Sequence, residues 1–222
     1  MGLFWRKCSF CREHTRTQIG KYQTLTPRPP EGVAYMEIIN KHITTDQTPD
    51  TVKKIVLAIL ENVSDPEVPV LSVIDLGIVR NITVNITPPS GGRGVGSWEV
   101  LLSVTPTYTG CPAIDVMNMS MRMALMEAGF TNIKIEQVLS PAWTTNWMSD
   151  AGKEKLKAYG IAPPQYKQAV CTPDSFQQEE AIQCPLCNSC HTELVSQFGS
   201  TACKALYKCL DCKEPFDYFK CH

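Results

Sequence analysis

The chain has 222 residues, 43% hydrophobic and 19% charged, with a formal net charge of -1. This is the composition of a globular protein with room for one ordinary domain and a small appendage, but not for two full cores. No apolar run approaches the ~18 residues that a membrane-crossing helix needs, and no segment has the basic excess of a phosphate-backbone binder, so neither a membrane nor nucleic acid is expected as a partner.

Residues 1–49 show no sustained periodicity. They include Thr26-Pro27-Arg28-Pro29-Pro30-Glu31-Gly32, which favours extended, unpacked backbone and predicts a disordered tail. Cys8, Cys11 and His14 are spaced as three ligands could be, but a tail also collects unselected residues, and Met36 is an alternative start. The first residues lack the continuous apolar stretch of a secretory signal, so a cytoplasmic location is expected. In that compartment the 11 cysteines read as metal ligands or thiols before disulfides.

From Pro49 the pattern changes. Asp50 is placed to cap a helix whose apolar positions Val52, Ile55, Val56, Ile59, Leu60 and Val63 recur at helical spacing, with Asp65-Pro66 ending it. Two β-rich runs, 78–87 and 98–105, flank the glycine-rich stretch 88–94 and predict a hairpin. That stretch lacks the Gly-Lys-Ser/Thr of a phosphate loop, so it reads as a turn. Cys111-Pro112 predicts a second helix, since proline suits a first helical turn. Ile114, Met117, Met121, Leu125 and Ala128 line its core face and Gly129 ends it. A strand over 132–139 and a helix over 149–158 follow. The order α-β-β-α-β-α predicts an α+β fold, a compact two-layer domain over 50–165. A polar linker over 166–183 then leads to a small β-rich unit over 184–222.

Cys184-x-x-Cys187 and Cys209-x-x-Cys212 are two knuckles separated by 21 residues, a spacing just beyond the usual range for a four-cysteine zinc ribbon. A unit of this size has too little core to fold alone, so metal binding and folding are expected to be one event. Four thiolates also fill zinc's coordination and leave no position for activating water, which makes the zinc structural. Iron in a rubredoxin-like site fits the same ligands. Cys190, Cys203, Cys221 and His222 are surplus to this set.

Two further features carry chemistry. Asp65, Glu67 and Asp75 place three carboxylates between the first helix and the first strand, where they can act as acid and base, bind a metal, or cap and close turns. Cys111 precedes a helix, whose unpaired amides favour thiolate over thiol, so it is a candidate nucleophile or transient metal ligand as well as a candidate capping residue. No histidine lies beside it, which leaves thiol-based catalysis without a visible base.

The run Asp65-Pro66-Glu67-Val68-Pro69-Val70-Leu71-Ser72-Val73-Ile74-Asp75-Leu76-Gly77-Ile78-Val79-Arg80, together with Thr107-Tyr108-Thr109-Gly110-Cys111-Pro112, resembles the SufT-like iron-sulfur assembly family. Ser140-Pro141-Ala142-Trp143-Thr144-Thr145-Asn146-Trp147, the stretch from Phe198 to Leu206 and that from Glu214 to Lys220 resemble the PaaD family of bacterial phenylacetyl-CoA epoxidase subunits. The resemblance implies an accessory subunit in aerobic phenylacetate degradation. Its role would be to assemble or maintain iron-sulfur or di-iron centres for the oxygenase and reductase subunits, which are its implied partners along with the iron-sulfur assembly machinery. It implies no independent catalysis. It carries over Asp65, Glu67, Asp75 and Thr107 as neighbours of a functional thiol at Cys111, itself the candidate ligand of a transient iron-sulfur cluster or iron. A purely structural subunit, with Cys111 merely packed, is the alternative.

Overall fold

The computed structural model describes residues 47–87, 97–164 and 182–220. The proposed tail ligands Cys8, Cys11 and His14, the alternative start Met36, most of the expected linker, and Cys221 and His222 lie outside the described residues. Within them the chain divides into two compact units, 47–159 and 160–220.

In the first unit, helix α1 spans Pro49–Leu60, with Val52, Val56, Ile59 and Leu60 buried as their spacing predicts. Its cap is Thr48, not Asp50: the Thr51 amide donates to Thr48 Oγ1 at 3.3 Å, and Pro49 takes the first helical position. Asp50 sits in the first turn, where its charge still favours the helix. Strands β1 (Val79–Thr87) and β2 (Ser97–Val104) pair antiparallel. Helix α2 (Ala113–Glu127) then carries the chain to β3 (Asn132–Gln137), which pairs parallel with β2.

Strand register places the apolar residues on one face of this β1-β2-β3 sheet. Ile82 pairs with Leu102 and Val84 with Val100; Val100 in turn pairs with Ile133 and Leu102 with Ile135. This period-two pattern buries one sheet face under the helices and leaves the other polar. Across the polar face Glu99 and Lys134 form an ion pair at 2.7 Å. The core face of α2 is the predicted one, with Ile114, Met117, Met121 and Leu125 buried. A second apolar row, Val116, Met119, Met123 and Met126, is more than half exposed.

The stretch between α1 and β1 is long but packed. Val63, Val68, Leu71, Val73 and Leu76 are all buried, and the loop closes on itself through a Ser64–Ser72 bridge and the Asp65 amide donating to Leu71 O at 2.9 Å. A 3-10 turn (Thr145–Trp147) and helix α3 (Asp150–Tyr159) pack against its end. Gly77 makes this approach feasible. Its φ is +67°, and an added Cβ would lie 2.0 Å from Trp147 O.

The second unit is a three-stranded antiparallel sheet of order β4-β5-β6: β4 (Thr192–Ser196), β5 (Lys204–Cys209) and β6 (Pro215–Phe219). Ala162 adds a one-residue parallel bridge to Tyr218, its amide donating to Asp217 O at 2.8 Å. The buried cluster around the cysteines is small: Ala162, Ile182, Cys184, Cys209 and Phe216, with Tyr207 stacked on Phe216 at 5.9 Å.

Gly77→Ala should destabilise the first unit by about 3 kcal/mol, combining the left-handed penalty with overpacking. Gly129→Ala should cost only the backbone penalty of about 1–2 kcal/mol, because Gly129 has φ +97° but nothing within 4 Å of an added Cβ. Urea denaturation followed by tryptophan fluorescence should show this order; equal effects would mean that contact with Trp147 O contributes nothing.

Candidate functional site and metal centre

Three connections meet at one end of the first sheet. Val79 opens β1 opposite Val104, which closes β2, and Val104 pairs with Gln137 at the end of β3. The Thr105 amide donates to Ile78 O at 2.8 Å and the Val138 amide to Val104 O at 2.8 Å. The loop carrying Asp65, Glu67 and Asp75, the loop carrying Thr107 and Cys111, and the segment carrying Trp143 and Trp147 therefore all start from this end. The segments that carry the residues singled out in this domain thus connect to the same end of the sheet.

They are not equivalent there. Asp75 is 6% exposed and its carboxylate is enclosed by donors. Oδ2 accepts from the Ser72 amide (3.1 Å), the Ser72 hydroxyl (3.0 Å) and the Lys155 ammonium (2.5 Å). Oδ1 accepts from the Ser149 hydroxyl (2.9 Å). Burial pushes this carboxyl up, but the hydrogen bonds from Lys155, Ser72 and Ser149 outweigh it and hold Asp75 below the usual carboxylate value. The same residue positions helix α3: the Ser149 amide donates to Asp75 O at 2.9 Å, while Ser149 Oγ accepts from the Gly152 amide at 2.9 Å. Trp143 Nε1 donates to Leu76 O at 2.9 Å. The Arg80 guanidinium lies 3.4 Å from the Trp147 ring centroid. The Asp-Leu-Gly motif thus clamps residues 143–155.

Sequence reasoning misses Ser72, Ser149 and Lys155 as partners of Asp75. Ser149 carries a readable signal as a serine just ahead of a helix; Lys155, 80 residues from Asp75, carries none.

Asp65 is also buried, and its Oδ1 accepts from the Glu67 amide at 2.8 Å. Thr107 is buried, four residues ahead of Cys111, which is itself 5% exposed. Gly110, with φ +83°, turns the chain into Cys111. Pro112 has helical dihedrals, and the Ile114 amide donates to Cys111 O at 3.3 Å, so Cys111 is the last residue before the backbone turns helical.

In the ribbon, the Sγ atoms of Cys184, Cys187, Cys209 and Cys212 all lie within 4.8 Å of one another. Cys184 Sγ is 3.8 Å from Cys212 Sγ, and Cys187 Sγ is 3.5 Å from Cys209 Sγ. A tetrahedron with zinc–sulfur bonds of about 2.3 Å has edges of about 3.8 Å, so the geometry fits the ion. The two knuckles are built alike: the residue after each second cysteine is left-handed, Asn188 at φ 61° and Lys213 at φ 68°. The electrostatics ask for a cation. Desolvation leads in pushing the Cys187 thiol up to about 12. Burial also opposes ionisation of Cys209, but the Cys212 and Asp211 amides outweigh it and bring that thiol down to about 7. Four thiolates at this spacing need a divalent ion to ionise together. Around them Asp211 accepts from Ser189 Oγ and pairs with His191 Nδ1 at 3.1 Å, a bracing network that sequence reasoning also misses.

Two family descriptions match separate parts of the chain. Residues 53–134 match the family described as "Iron-sulfur cluster assembly protein", and residues 168–220 match "PaaD zinc beta ribbon domain". An Escherichia coli (strain K12) protein, provisionally named as a subunit of 1,2-phenylacetyl-CoA epoxidase, is 45% identical over 164 residues, covering 74% of this chain and 90% of that one. Among solved structures, a DUF59 domain from Bacillus anthracis is 22% identical and covers 49% of this chain and 93% of its own, with a TM-score of 0.38. A Mycobacterium tuberculosis protein, described as associated with Fe-S complex assembly and repair, is 26% identical and covers 54% of this chain and 95% of its own, with a TM-score of 0.29.

By class, then, the chain is an iron-sulfur-assembly-type α+β domain followed by a four-cysteine zinc ribbon. It belongs to the PaaD family of phenylacetyl-CoA epoxidase subunits. Among the described residues no helix is long and apolar enough to cross a membrane.

Cys187→Ser or Cys212→Ser should abolish stoichiometric zinc and unfold the ribbon while the first unit keeps its fold, as read by metal analysis and hydrogen exchange; full zinc in either variant would show the ligand set to be wrong. Asp75→Asn should cost about 1.5–3 kcal/mol at neutral pH, the range for a hydrogen bond to a charged group. Because the folded Asp75 value is lowered, its contribution is fully present above the ordinary carboxylate value of about 3.9 and is lost as pH falls through the lower folded value. The variant should therefore show a flatter acid limb in its stability-against-pH curve than the parent.

Proposed function

We propose that this protein is a cytoplasmic accessory subunit of a phenylacetyl-CoA epoxidase that assembles or maintains the metal centres of the oxygenase and reductase subunits. The observation that carries this reading is the joining of an iron-sulfur-assembly domain to the PaaD ribbon, in one chain 45% identical to a protein named as an epoxidase subunit. Cys111 is the proposed transient ligand of the iron or iron-sulfur cargo, with Thr107, Asp65 and Glu67 proposed as its neighbours. The ribbon, with four ligands closing its metal site, serves as a docking shape and not as a catalyst. The domain limits expected from the sequence are 50–165 and 184–222 with 166–183 as linker; for this division of labour the second begins at 160, because Ala162 and Ile182 belong to the ribbon's buried cluster.

A second reading, a structural subunit with no metal-transfer role, is favoured by one observation: Cys111 is 5% exposed. Cys111→Ser separates the two. Serine preserves the turn and most of the volume, so the variant should fold and should still co-purify with the epoxidase subunits. The oxygenase or reductase should then hold less than half its normal iron or sulfide, and growth on phenylacetate should fail. Fully metallated partners and normal growth with the serine variant would establish the structural reading instead.

A further inference from the structure

The two knuckles of the ribbon are joined by more than their sulfurs. Ser189 follows Cys187 by two residues, and Asp211 lies between Cys209 and Cys212. The Ser189 hydroxyl donates to Asp211 Oδ2, and Asp211 Oδ1 pairs with His191 Nδ1 at 3.1 Å. Beside them the Leu210 amide donates to His191 O at 2.8 Å. All of these bonds run between the second knuckle and the chain leaving the first. The direction of the Ser189–Asp211 bond is set locally: Ser189 Oγ accepts from the His191 amide at 3.0 Å, which leaves its own proton to the carboxylate.

The same two residues reach the sulfurs through their backbones. The Ser189 amide donates to the Cys187 sulfur and the Asp211 amide to the Cys209 sulfur, and these two sulfurs are 3.5 Å apart. An amide proton aimed at sulfur favours the thiolate form that binds a metal. The aim depends on the peptide plane that carries the N–H, and the side-chain bond ties the residues holding the two planes to each other. That is the task of outer-shell groups around a metal, which orient the ligands without touching the ion.

Cys187 has the greatest need of such support. It is the exposed member of the four ligands, while Cys184 and Cys209 are buried and Cys212 is intermediate, so it is the sulfur that a competing chelator meets first. The Ser189 carbonyl also accepts from the Cys184 amide at 2.8 Å, which closes the first knuckle on itself. With Ser189 held to Asp211, Cys187 stays within reach of the site after letting go and returns before a competitor takes its place.

We propose that Ser189 and Asp211 are positioning residues of the metal centre, whose side-chain bond keeps two amides on the Cys187 and Cys209 sulfurs and slows loss of the ion. The inference concerns how firmly the ribbon holds its metal and does not depend on the role proposed for the first unit. His191 and Asp211 side chains are 50% and 56% exposed, and half-exposed polar contacts add little to folding, so the effect falls on the rate of release and not on whether the ribbon forms.

The test uses the full-length, zinc-loaded protein with excess pyridylazoresorcinol and follows zinc release by absorbance. Ser189→Ala should still bind stoichiometric zinc and release it about tenfold faster than the parent, the lower end for loss of an outer-shell partner. Ser189→Thr, which keeps the hydroxyl, should release it at the parent rate. In an Asp211→Ala background, Ser189→Ala should add no further acceleration, because the contact is already gone. The parent rate in Ser189→Ala would overturn the proposal, as would Ser189→Thr releasing zinc as fast as Ser189→Ala. Independent, fully additive effects of the two alanine substitutions would overturn the pairing. If Asp211→Ala fails to hold zinc, the two Ser189 variants decide alone.

Discussion

The Asp75 carboxylate is the interaction on which the junction between the α1–β1 loop and helix α3 depends. A buried carboxylate is tolerated only where donors replace its lost water. Here the donors come from two places far apart in sequence: Ser72 in its own loop, and Ser149 just ahead of α3 with Lys155 in its middle. Satisfying one charge therefore fixes the loop between α1 and β1 against the last helix of the unit. Leu76 and Gly77, the next two residues, receive Trp143 and Trp147, so the loop is gripped at three consecutive positions. A hydrophobic contact of similar area would stabilise the junction without defining its register so narrowly, because apolar burial is non-directional.

The ribbon solves the same problem differently. Of the five residues in its central buried cluster, two, Cys184 and Cys209, belong to the metal site. With so little apolar area to remove from water, folding free energy has to come from metal binding. Burial pushes the Cys187 thiol up while neighbouring amides bring Cys209 down, and a cation bound by all four sulfurs favours the thiolate form of each. Each unit is thus organised around negative charge that must be compensated, a carboxylate by hydrogen bonds in one and thiolates by a metal in the other.

How much of this is legible in the sequence follows from the range of the interactions. Helix α1, the core face of α2, all three strands of the first sheet and the four zinc ligands are readable, since each rests on a local period or on a pair of short Cys-x-x-Cys motifs. The cap of α1 lies at Thr48 instead of Asp50 because proline at position 49 fills the first helical place and leaves the preceding residue to cap. Spacing gives the buried face of α2, but it does not explain the exposed apolar row Val116, Met119, Met123 and Met126 that lies outside that face. The Asp75–Lys155 pair is not readable at all, since nothing local marks two residues 80 apart as partners.

The hydrogen bonds also sort the residues that motif resemblance treats alike. Asp65, Glu67 and Asp75 all come from the one loop between α1 and β1, and of these Asp75 accepts four hydrogen bonds from three residues. For Asp75 to bind iron it would have to release Lys155 or Ser149 and with them the seat of α3. Its ionisation is already committed to folding. Cys111 sits differently: its backbone is fixed by the Tyr108 and Ile114 hydrogen bonds, which hold the turn whatever the sulfur does. A side chain on a rigid turn can exchange ligands at little structural cost, whereas one that is itself the clamp cannot. On that distinction the proposed cargo-binding role falls to Cys111, and Asp75 belongs to the frame of the domain.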